Sequence, residues 1–399
     1  MTSFGVAIAA GATAALALGS NQHPVQAVGA PPAKPSTAEN TLPALSPTVP
    51  PVRAVLPPVP TPRAVKPATT QPDPARWSNQ QLASILVMTG AKMGDATAIE
   101  HAAEEGVAGV VLFGPSSPNL AATTSKARAI APRGNPALIA SDEEGGQVQR
   151  LGSLIYPLPS AEVMGHWNPA RITQAAHDYA LRMRALGVGM DLAPDTDIAI
   201  PGYFIAAEHR SFSNDPRQVA IDVDAWNDGV RAAGVLGVVK HWPGHGQAND
   251  THVGGSTVPS WSVLQRRDLI PFTVAFAHHA DAVMVGHLQV PGLTEGSLPA
   301  SESPTALRTL RAQAGASVLI MTDDLSMAAA STTLGITPAQ AAVRSLVAGA
   351  DVAMACWAPV DQVISAVTQA IDNGQLPRNK AVASARRVLT LKTHLAAPH

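Results

Sequence analysis

The sequence predicts a single (β/α)8 TIM barrel of the α/β class, and three observations lead to this prediction. Short apolar runs alternate with helical patterns from residue 77 to the end of the 399-residue chain. The runs are apolar along their whole length, as strands of a parallel sheet are when both faces are buried. Nearly every run also ends in polar residues, which a barrel would gather at one face. Such a barrel needs ~250 residues plus insertions, and this stretch is long enough to supply them.

Seven segments have the length and the apolar character of buried strands. They are residues 107–114, 136–146, 187–198, 235–244, 281–290, 316–326 and 349–356. Helical patterns lie between them, for example at residues 171–186 and 361–374, and Gly374 is of the residue type that commonly follows a helix end. A doubly wound open sheet is the alternative fold. No GxGxxG motif follows an early strand, so the barrel is favoured.

The first 76 residues differ in composition from the rest and are predicted to lie outside the barrel. Residues 1–30 include the apolar run FGVAIAAGATAALALG, which has the length of a signal-peptide core and is too short for a membrane span. Residues 31–76 are rich in proline, alanine and threonine, a composition that predicts an extended, disordered linker. The folded domain is therefore expected to occupy residues 77–399.

The apolar N-terminal segment predicts export to the cell envelope or the extracellular space, without a stable membrane span in the mature protein. Residues 25–27, VQA, offer small side chains at the spacing of a cleavage site, although no basic residue precedes Lys34. Ser20 stands where a lipoprotein would have its lipid-bearing cysteine. A lipid anchor is therefore not expected.

Composition limits the classes of partner. The formal net charge is −2 at pH 7, so there is no electrostatic reason to expect nucleic acid or an anionic membrane surface. Cys356 is the single cysteine, which excludes an intrachain disulfide and a multi-cysteine zinc site. Its apolar neighbours predict a buried structural thiol. We expect a monomer that acts on a small molecule.

Five strand candidates end in polar residues, and these endings predict where a functional site lies. In chain order they read SDEEGG, DTD, KH, GH and TDD. One or two such endings can be helix N-caps, but five in succession are not explained in this way. In a barrel all of them lie at the C-terminal face, where active sites are built. We therefore expect a site with many titratable side chains at that face.

The segment KHWPGHGQANDTH, residues 240–252, gathers three histidines, a lysine and an aspartate in a turn-rich stretch. Its histidines and its aspartate are of the residue types that bind zinc. However, the spacings HExxH and HxxEH that mark many zinc hydrolases are absent, and the ammonium group of Lys240 would repel a divalent cation. We therefore expect substrate binding and proton transfer here, and no metal.

Five motifs occur in an order that resembles the family 3 glycoside hydrolases. They are SDEEGGQVQR, RSFS, KHWPGHG, DTH and MTDDLSM, and the resemblance extends over about residues 77–397, the whole predicted domain. In particular, the chain is similar to the NagZ-type β-N-acetylhexosaminidases, which act on peptidoglycan fragments. The resemblance implies hydrolysis of terminal β-linked N-acetylglucosamine with retention of configuration and without a cofactor. It also implies one catalytic domain, since the chain has no room for the second α/β domain of the family's β-glucosidases.

The resemblance implies roles for eight residues. Asp323 matches the nucleophile, while its neighbour Asp324 is expected to point away from it and to cap backbone groups. His252 matches the proton donor, and Asp250 matches the carboxylate that orients it. A histidine suits this role because its side chain titrates at about pH 6.5 and can both give and accept a proton. The expected sugar-binding residues are Asp142, Arg150, Arg210, Lys240 and His241.

The loop that carries the expected proton donor departs from the family pattern. Only QAN stands between GHG and the DTH triplet, where the family has a longer spacer. We expect this shorter loop to change how His252 reaches the leaving oxygen, and we expect His245 to order the loop through a hydrogen bond. Three alternative functions stay open: a phosphorylase of N-acetylglucosaminides, a β-glucosidase of the same family, and a carbohydrate-binding protein without catalysis.

Overall fold

The computed structural model describes residues 72–396, with side chains described up to residue 393. The predicted signal segment, 1–30, and nearly all of the predicted linker, 31–76, lie outside these residues, so both stay predictions. Within the described part of the chain, no helix is long and apolar enough to cross a membrane.

Eight parallel strands form a closed barrel within residues 72–396. In chain order they are β1 (Val87–Lys92), β2 (Gly109–Phe113), β3 (Ile139–Ser141), β4 (Met190–Asp191), β5 (Leu236–Trp242), β6 (Ala282–Val285), β7 (Leu319–Thr322) and β8 (Ala353–Met354). Consecutive strands pair with each other, and β8 returns to pair with β1. A bridge from Met321 to Val352 joins β7 to β8. This closure confirms the predicted (β/α)8 barrel against the open, doubly wound sheet.

Helices alternate with the strands and cover the outside of the barrel. The α-helices of the described chain are α1 (Asn79–Ile85), α2 (Ala96–Glu104), α3 (Leu120–Ile130), α4 (Ala161–Met164), α5 (Pro169–Ala185), α6 (Phe204–Ala207), α7 (Pro216–Ala232), α8 (Trp261–Arg266), α9 (Leu269–Ala277), α10 (Pro304–Ala314), α11 (Pro338–Ala348), α12 (Val360–Asp372) and α13 (Arg378–Ala396). Short 3-10 helices occupy Pro74–Arg76, Ala300–Glu302, Ala328–Ala330 and Thr332–Leu334.

Two pairs of short strands belong to the loops at the ends of barrel strands. Glu143–Gly145 and Val148–Gln149 form an antiparallel hairpin directly after β3. Ser256–Thr257, after β5, pairs in parallel with Leu288–Gln289, after β6. Both pairs therefore give local order to loops at the C-terminal face of the barrel, where the polar endings lie.

Sequence signals at helix ends explain where several helices begin and end. Four of the described α-helices start with a polar N-cap whose side chain accepts a backbone hydrogen bond, followed by a proline that needs no N–H partner. These pairs are Asn168–Pro169, Asp215–Pro216, Ser303–Pro304 and Thr337–Pro338. A different signal marks the C-terminal end of α12. Gly374, two residues beyond it, has a φ of +78°, in agreement with the predicted helix end.

The barrel strands are buried on both faces, as their apolar sequences predict. All seven residues of β5 are buried, including Lys240 and His241 near its end. The sequence pattern misses β1, because its segment VMTGAK is interrupted by threonine, glycine and lysine and becomes exposed at Lys92. The observed strands are shorter than the predicted segments. Residues after each strand bend into the loops that form the C-terminal face.

The described fold begins slightly before the predicted domain boundary at residue 77. Asp73 caps the 3-10 helix Pro74–Arg76 and lies 3.0 Å from Nη2 of Arg386 on α13. The guanidinium group of Arg378, also on α13, donates to the carbonyl oxygen of Trp77 at 2.6 Å. These contacts join the first described residues to the last helix. The predicted domain boundaries stay a prediction.

Candidate active site

The C-terminal ends of the barrel strands surround a cavity of ≈ 200 Å³. Seven of the eight predicted site residues line this cavity: Asp142, Arg150, Arg210, Lys240, His241, His252 and Asp323. The eighth, Asp250, does not line it but lies 2.7 Å from Nδ1 of His252. The structure therefore brings together, at the predicted face, side chains that are far apart in the sequence.

Buried ion pairs form one wall of the cavity. The ammonium group of Lys240 lies 2.8 Å from Oδ1 of Asp142 and 2.5 Å from Oε1 of Glu144. Arg210 donates two hydrogen bonds to the same Glu144 carboxylate, each of 2.8 Å. Burial would raise the pKa of Glu144, but the charges of Arg210 and Lys240 outweigh it and lower the pKa to about 2. We call Lys240, Glu144 and Arg210 the clamp.

Asp142 and Arg150 extend this wall toward the mouth of the cavity. Nη2 of Arg150 lies 4.0 Å from Oδ2 of Asp142, and its buried Nε atom has no hydrogen-bond partner within the described chain. Both side chains line the cavity. The hairpin that carries them is held by Glu143, which accepts hydrogen bonds from the hydroxyl of Tyr179 at 2.8 Å and from the Leu151 N–H at 3.1 Å.

His241 is oriented by a carboxylate behind it. Oδ2 of Asp197 lies 2.7 Å from Nδ1 of His241 and also accepts the backbone N–H of His241 at 3.1 Å. Burial lowers the pKa of His241, so its imidazole is neutral near pH 7. The bond to Asp197 therefore fixes the Nδ1–H tautomer and leaves Nε2 as an acceptor. The neighbouring Asp195 is fully buried, and burial and the charge of Asp197 raise its pKa well above the usual range.

Asp323 follows β7 and reaches the cavity at the end of that strand. Burial alone would raise the pKa of Asp323, but the electrostatic influence of His241 and His287, the hydrogen bond from the Asp324 N–H and the charge of Lys240 hold it well below the usual range. Because burial lowers the pKa of both histidines, the permanent cation among these influences is Lys240. Asp323 is therefore a carboxylate at neutral pH, as a nucleophile must be.

Asp324 has a different environment from its neighbour. Its Oδ1 atom accepts the backbone N–H groups of Ser326 and Cys356, each at 2.9 Å. These bonds agree with the expected capping of backbone groups. Asp324 also lines the cavity beside Asp323, so the expectation that it points away is wrong. Cys356 is 3% exposed and burial raises the pKa of its thiol, in agreement with the predicted structural cysteine.

The loop after β5 brings His252 to the cavity. Oδ1 of Asp250 accepts the backbone N–H of His252 at 2.9 Å and lies 2.7 Å from its Nδ1. The carbonyl oxygens of Thr251 and His252 accept the N–H groups of Ala329 and Ala328, each at 3.3 Å. The loop is thus attached to the segment that follows Asp323. Although its spacer is short, the loop still brings His252 to the cavity wall.

His245, in the same loop, is buried and lies with Nε2 3.3 Å from the hydroxyl of Thr251. Its backbone N–H donates to Oδ1 of Asp197 at 2.5 Å. These bonds connect His245 to Thr251 within the loop and to Asp197 in the loop that follows β4. The geometry is that of a loop-ordering residue, as expected from the sequence.

Several residues of the site were not among the sequence-predicted site residues. Glu144 and Asp197 contact the cavity residues Lys240 and His241 from behind. They lie within the polar endings SDEEGG and DTD, but the sequence does not say which acidic residue of each ending faces which neighbour. Phe113, Phe204 and Trp357 also line the cavity. No sequence motif pointed to these aromatic residues, because they reach the cavity only through the path of the barrel.

Two groups of three side chains in residues 72–396 bring possible metal-ligand atoms within 4.8 Å of one another. One group, Asp195, Asp197 and His241, lies beside the cavity. Arg210 is 3.5 Å from Oδ2 of Asp195, and its fixed positive charge disfavours a dication there. The predicted absence of a metal stays a prediction, which chelation can test.

Comparison with known sequences places this geometry in a family. A model of the glycosyl hydrolase family 3 N terminal domain matches residues 79–391. Beta-hexosaminidase LpqI of Mycobacterium tuberculosis is 40% identical over 269 residues, which are 64% of this chain and 68% of that protein. Beta-hexosaminidase of Stenotrophomonas maltophilia is 35% identical over 277 residues, which are 66% of this chain and 80% of that protein.

Solved structures give the same picture. A family 3 glycosyl hydrolase from Mycobacterium smegmatis superposes with a TM-score of 0.74 and 36% identity, covering 80% of this chain and 98% of that one. A family 3 β-N-acetylglucosaminidase from a Paenibacillus species has a TM-score of 0.74 and 30% identity, covering 80% of this chain and 63% of that one. The similarity thus extends over the described barrel.

Proposed function

The chain belongs to glycosyl hydrolase family 3, and from this premise we propose that it removes terminal β-linked N-acetylglucosamine from glycans with retention of configuration. It is a glycoside hydrolase of the β-N-acetylhexosaminidase type. One observation carries the proposal: the Asp323 carboxylate and the His252–Asp250 pair meet at one cavity. The same cavity is lined by Asp142, Arg150, Arg210 and Lys240, charged groups suited to sugar hydroxyls, and by apolar and aromatic side chains.

In the first step, Asp323 attacks the anomeric carbon of the terminal sugar. The bond from this carbon to the glycosidic oxygen breaks, and the electron pair stays on the oxygen, which takes a proton from the imidazolium of His252. The sugar is then covalently attached to Asp323, as in other retaining glycosidases. The low pKa of Asp323 favours this step because the carboxylate is available as a nucleophile at neutral pH.

In the second step, a water molecule replaces the departed group. His252, now neutral, removes a proton from the water while the oxygen attacks the anomeric carbon and the bond to Asp323 breaks. The carboxylate and the imidazolium are restored together. Asp250 orients the ring in both steps through the 2.7 Å contact with Nδ1, which leaves Nε2 for proton transfer.

The clamp gives the terminal sugar a fixed position. Glu144 holds both cations, Lys240 and Arg210, and Asp142 and Arg150 line the cavity. Charged donors and acceptors in fixed positions can form paired hydrogen bonds with neighbouring hydroxyl groups. The proposal includes glycans released from peptidoglycan as the natural substrates, which the resemblance to NagZ-type enzymes and the apolar N-terminal segment support.

The test is product identification with the purified protein. Aryl β-N-acetylglucosaminide and aryl β-glucoside should be incubated with and without phosphate. We expect free N-acetylglucosamine from the first substrate, initially as the β-anomer, and little reaction with the second. Release of sugar 1-phosphate would indicate a phosphorylase, faster cleavage of the glucoside would indicate a β-glucosidase, and no release would indicate a binding protein. Loss of activity with EDTA and recovery with zinc would contradict the metal-free mechanism.

A further inference from the structure

An aromatic surface at the mouth of the cavity has no role in the two chemical steps. Trp357 lines the cavity and is 60% exposed. Among the large apolar residues that are exposed in the described chain, it is the one aromatic residue. Its ring centroid lies 4.9 Å from that of Phe113, with an angle of 43° between the ring planes. We call Trp357 and Phe113 the aromatic platform.

Three neighbouring strands build the platform. Phe113 ends β2, Trp357 follows β8, and β1 lies between these two strands in the barrel. Gly90 of β1 leaves the necessary space, because a Cβ atom there would lie 2.9 Å from the Phe113 ring and 2.8 Å from Cβ of Cys356. Real Cβ atoms do not approach other carbon atoms so closely. The missing side chain at Gly90 therefore allows the two aromatic residues to meet over β1.

Hydrogen bonds fix the platform relative to the proposed nucleophile. The backbone N–H of Trp357 donates to the hydroxyl of Ser326 at 3.1 Å, and that of Cys356 donates to Asp324 at 2.9 Å. Ser326 and Asp324 belong to the segment that directly follows Asp323. The backbone of Trp357 is thus held in place before any ligand binds, and its indole contacts the Phe113 ring. Such preorganisation reduces the entropy that is lost on binding.

The platform is continuous with the sugar-binding wall. The guanidinium carbon of Arg150 lies 6.0 Å from the centroid of the Phe113 ring, at the outer limit of a cation–π contact. Arg150 also approaches Asp142 within the cavity. A ligand that fills the charged part of the cavity and extends outward past Arg150 would therefore meet the platform next.

We infer that the aromatic platform binds the ring of the leaving-group sugar, so that the enzyme prefers oligosaccharides to glycosides with small leaving groups. This inference rests on the proposed function. A pyranose ring presents C–H groups on its faces, and these pack against the electron-rich face of an indole. The charged cavity suits the hydroxyl groups of the terminal sugar, whereas the exposed indole suits the apolar face of the next one.

The position of the platform fits this role. In the eight-stranded ring, β5, which precedes the His252 loop, lies opposite β1, over which the platform is built. A leaving sugar between them would contact the indole on one side and receive a proton from His252 on the other. The platform would then bind the part of the substrate whose oxygen is protonated.

The experiment compares two substrates that share the terminal sugar. The leaving group of N,N′-diacetylchitobiose is a sugar, whereas the leaving group of methyl β-N-acetylglucosaminide is methanol, with a single carbon. For Trp357→Ala we expect kcat/KM to fall about tenfold with the disaccharide, mainly through KM, and to change less than about twofold with the methyl glycoside. Trp357→Phe should retain most of the preference. The control is Leu181→Ala, at a 46% exposed position on α5, which should leave both substrates unchanged.

Two results would overturn the inference: equal losses with both substrates, or no loss with the disaccharide. Failure of the proposed function has a different signature, since the wild-type protein would then cleave neither substrate. In that case intrinsic fluorescence still tests the platform. N,N′-diacetylchitobiose should change the fluorescence of Asp323→Asn, and this change should disappear in the double variant Asp323→Asn, Trp357→Phe. A signal that persists without Trp357, or that is absent from both variants, rejects the platform.

Discussion

Two regions of the candidate active site differ in how firmly their side chains are held. In the clamp, the side chains of Lys240, Glu144 and Arg210 are between 2% and 11% exposed, and Glu144 contacts both cations. In the loop after β5, the side chain of His252 is 62% exposed and that of Asp250 is 35% exposed. One oxygen, Oδ1 of Asp250, accepts the backbone N–H of His252 and also contacts Nδ1 of its ring.

The difference matches the tasks proposed for the two regions. A sugar must be held in one geometry, and buried hydrogen-bonded charges resist displacement because breaking them leaves a charge without compensation. A proton donor must instead approach the leaving oxygen and then allow the product to depart, which an exposed loop permits. Substitutions in the clamp should therefore change stability and binding, whereas substitutions in the loop should change turnover.

The largest effect is expected at Asp323, because it forms the bond to the sugar that the clamp positions and whose leaving group His252 protonates. Asp323→Asn removes the atom that attacks the anomeric carbon, so turnover of every substrate should fall by at least ~10⁴-fold. Steady-state assays with aryl and disaccharide substrates measure this loss. Asp324→Asn is the neighbouring control and should mainly lower the thermal midpoint, because Asp324 holds two backbone N–H groups. Abolished activity in the Asp324 variant alone would reverse the assignment.

His252→Ala tests the exposed region and should separate the two chemical steps. An aryl leaving group of low pKa departs without a proton, so the variant should still form the glycosyl-enzyme. Hydrolysis of that intermediate should then slow by about 10²–10⁴-fold for want of a base. Rapid-mixing assays should show a burst of aryl alcohol and a slow steady state that azide accelerates. Wild-type rates with a disaccharide would show that another group donates the proton.

Glu144→Gln tests the buried region through stability. The folded-state pKa of Glu144, about 2, lies below the ordinary glutamate value of about 4.3. The ionised carboxylate therefore stabilises the fold above pH ~4.3, and this stabilisation is lost as the pH falls toward 2. We expect the substitution to lower the free energy of unfolding by about 3 kcal/mol at pH 7. The difference from wild type should shrink between pH ~4.5 and the lowest pH at which the protein stays folded.

Urea unfolding at pH 7 and at pH 3 measures both quantities for Glu144→Gln. The matched control is Glu162→Gln, because Glu162 is 57% exposed and pairs with His209 at the surface. Exposed pairs contribute ~0–1 kcal/mol, so this control should change little at either pH. Equal destabilisation by the two substitutions would show that the clamp is not a buried ionic unit.

The same contrast explains how much of the site the sequence could predict. Lys240, His241 and Asp323 end buried strands, and the rule that such ends meet at one face of a barrel places them correctly. The clamp partner Glu144 was not predicted, because three consecutive acidic residues follow β3 and only the path of the hairpin decides which of them reaches Lys240.

The platform shows a second limit on prediction from sequence. Phe113 and Trp357 are far apart in the chain and meet only because the barrel closes with β8 beside β1. The strand between them, β1, was not predicted because its sequence is not continuously apolar. An interaction across a strand that is not predicted cannot be inferred from motif or spacing, although the fold class itself can.

The smallest effect is expected at Asp250, and its size measures how loosely the exposed region is held. The carboxylate orients His252 but does not touch the reacting atoms, and it is partly exposed, so water weakens the interaction. Asp250→Asn should therefore lower kcat by about tenfold with a disaccharide and less with an activated aryl substrate. KM and the free energy of unfolding should stay near the wild-type values, because the clamp is unchanged. Comparison of kcat across aryl leaving groups of increasing pKa provides the measurement: the variant should fall further behind the wild type as the leaving group becomes poorer. A uniform loss across the series would mean that Asp250 supports the loop rather than the orientation of the imidazole.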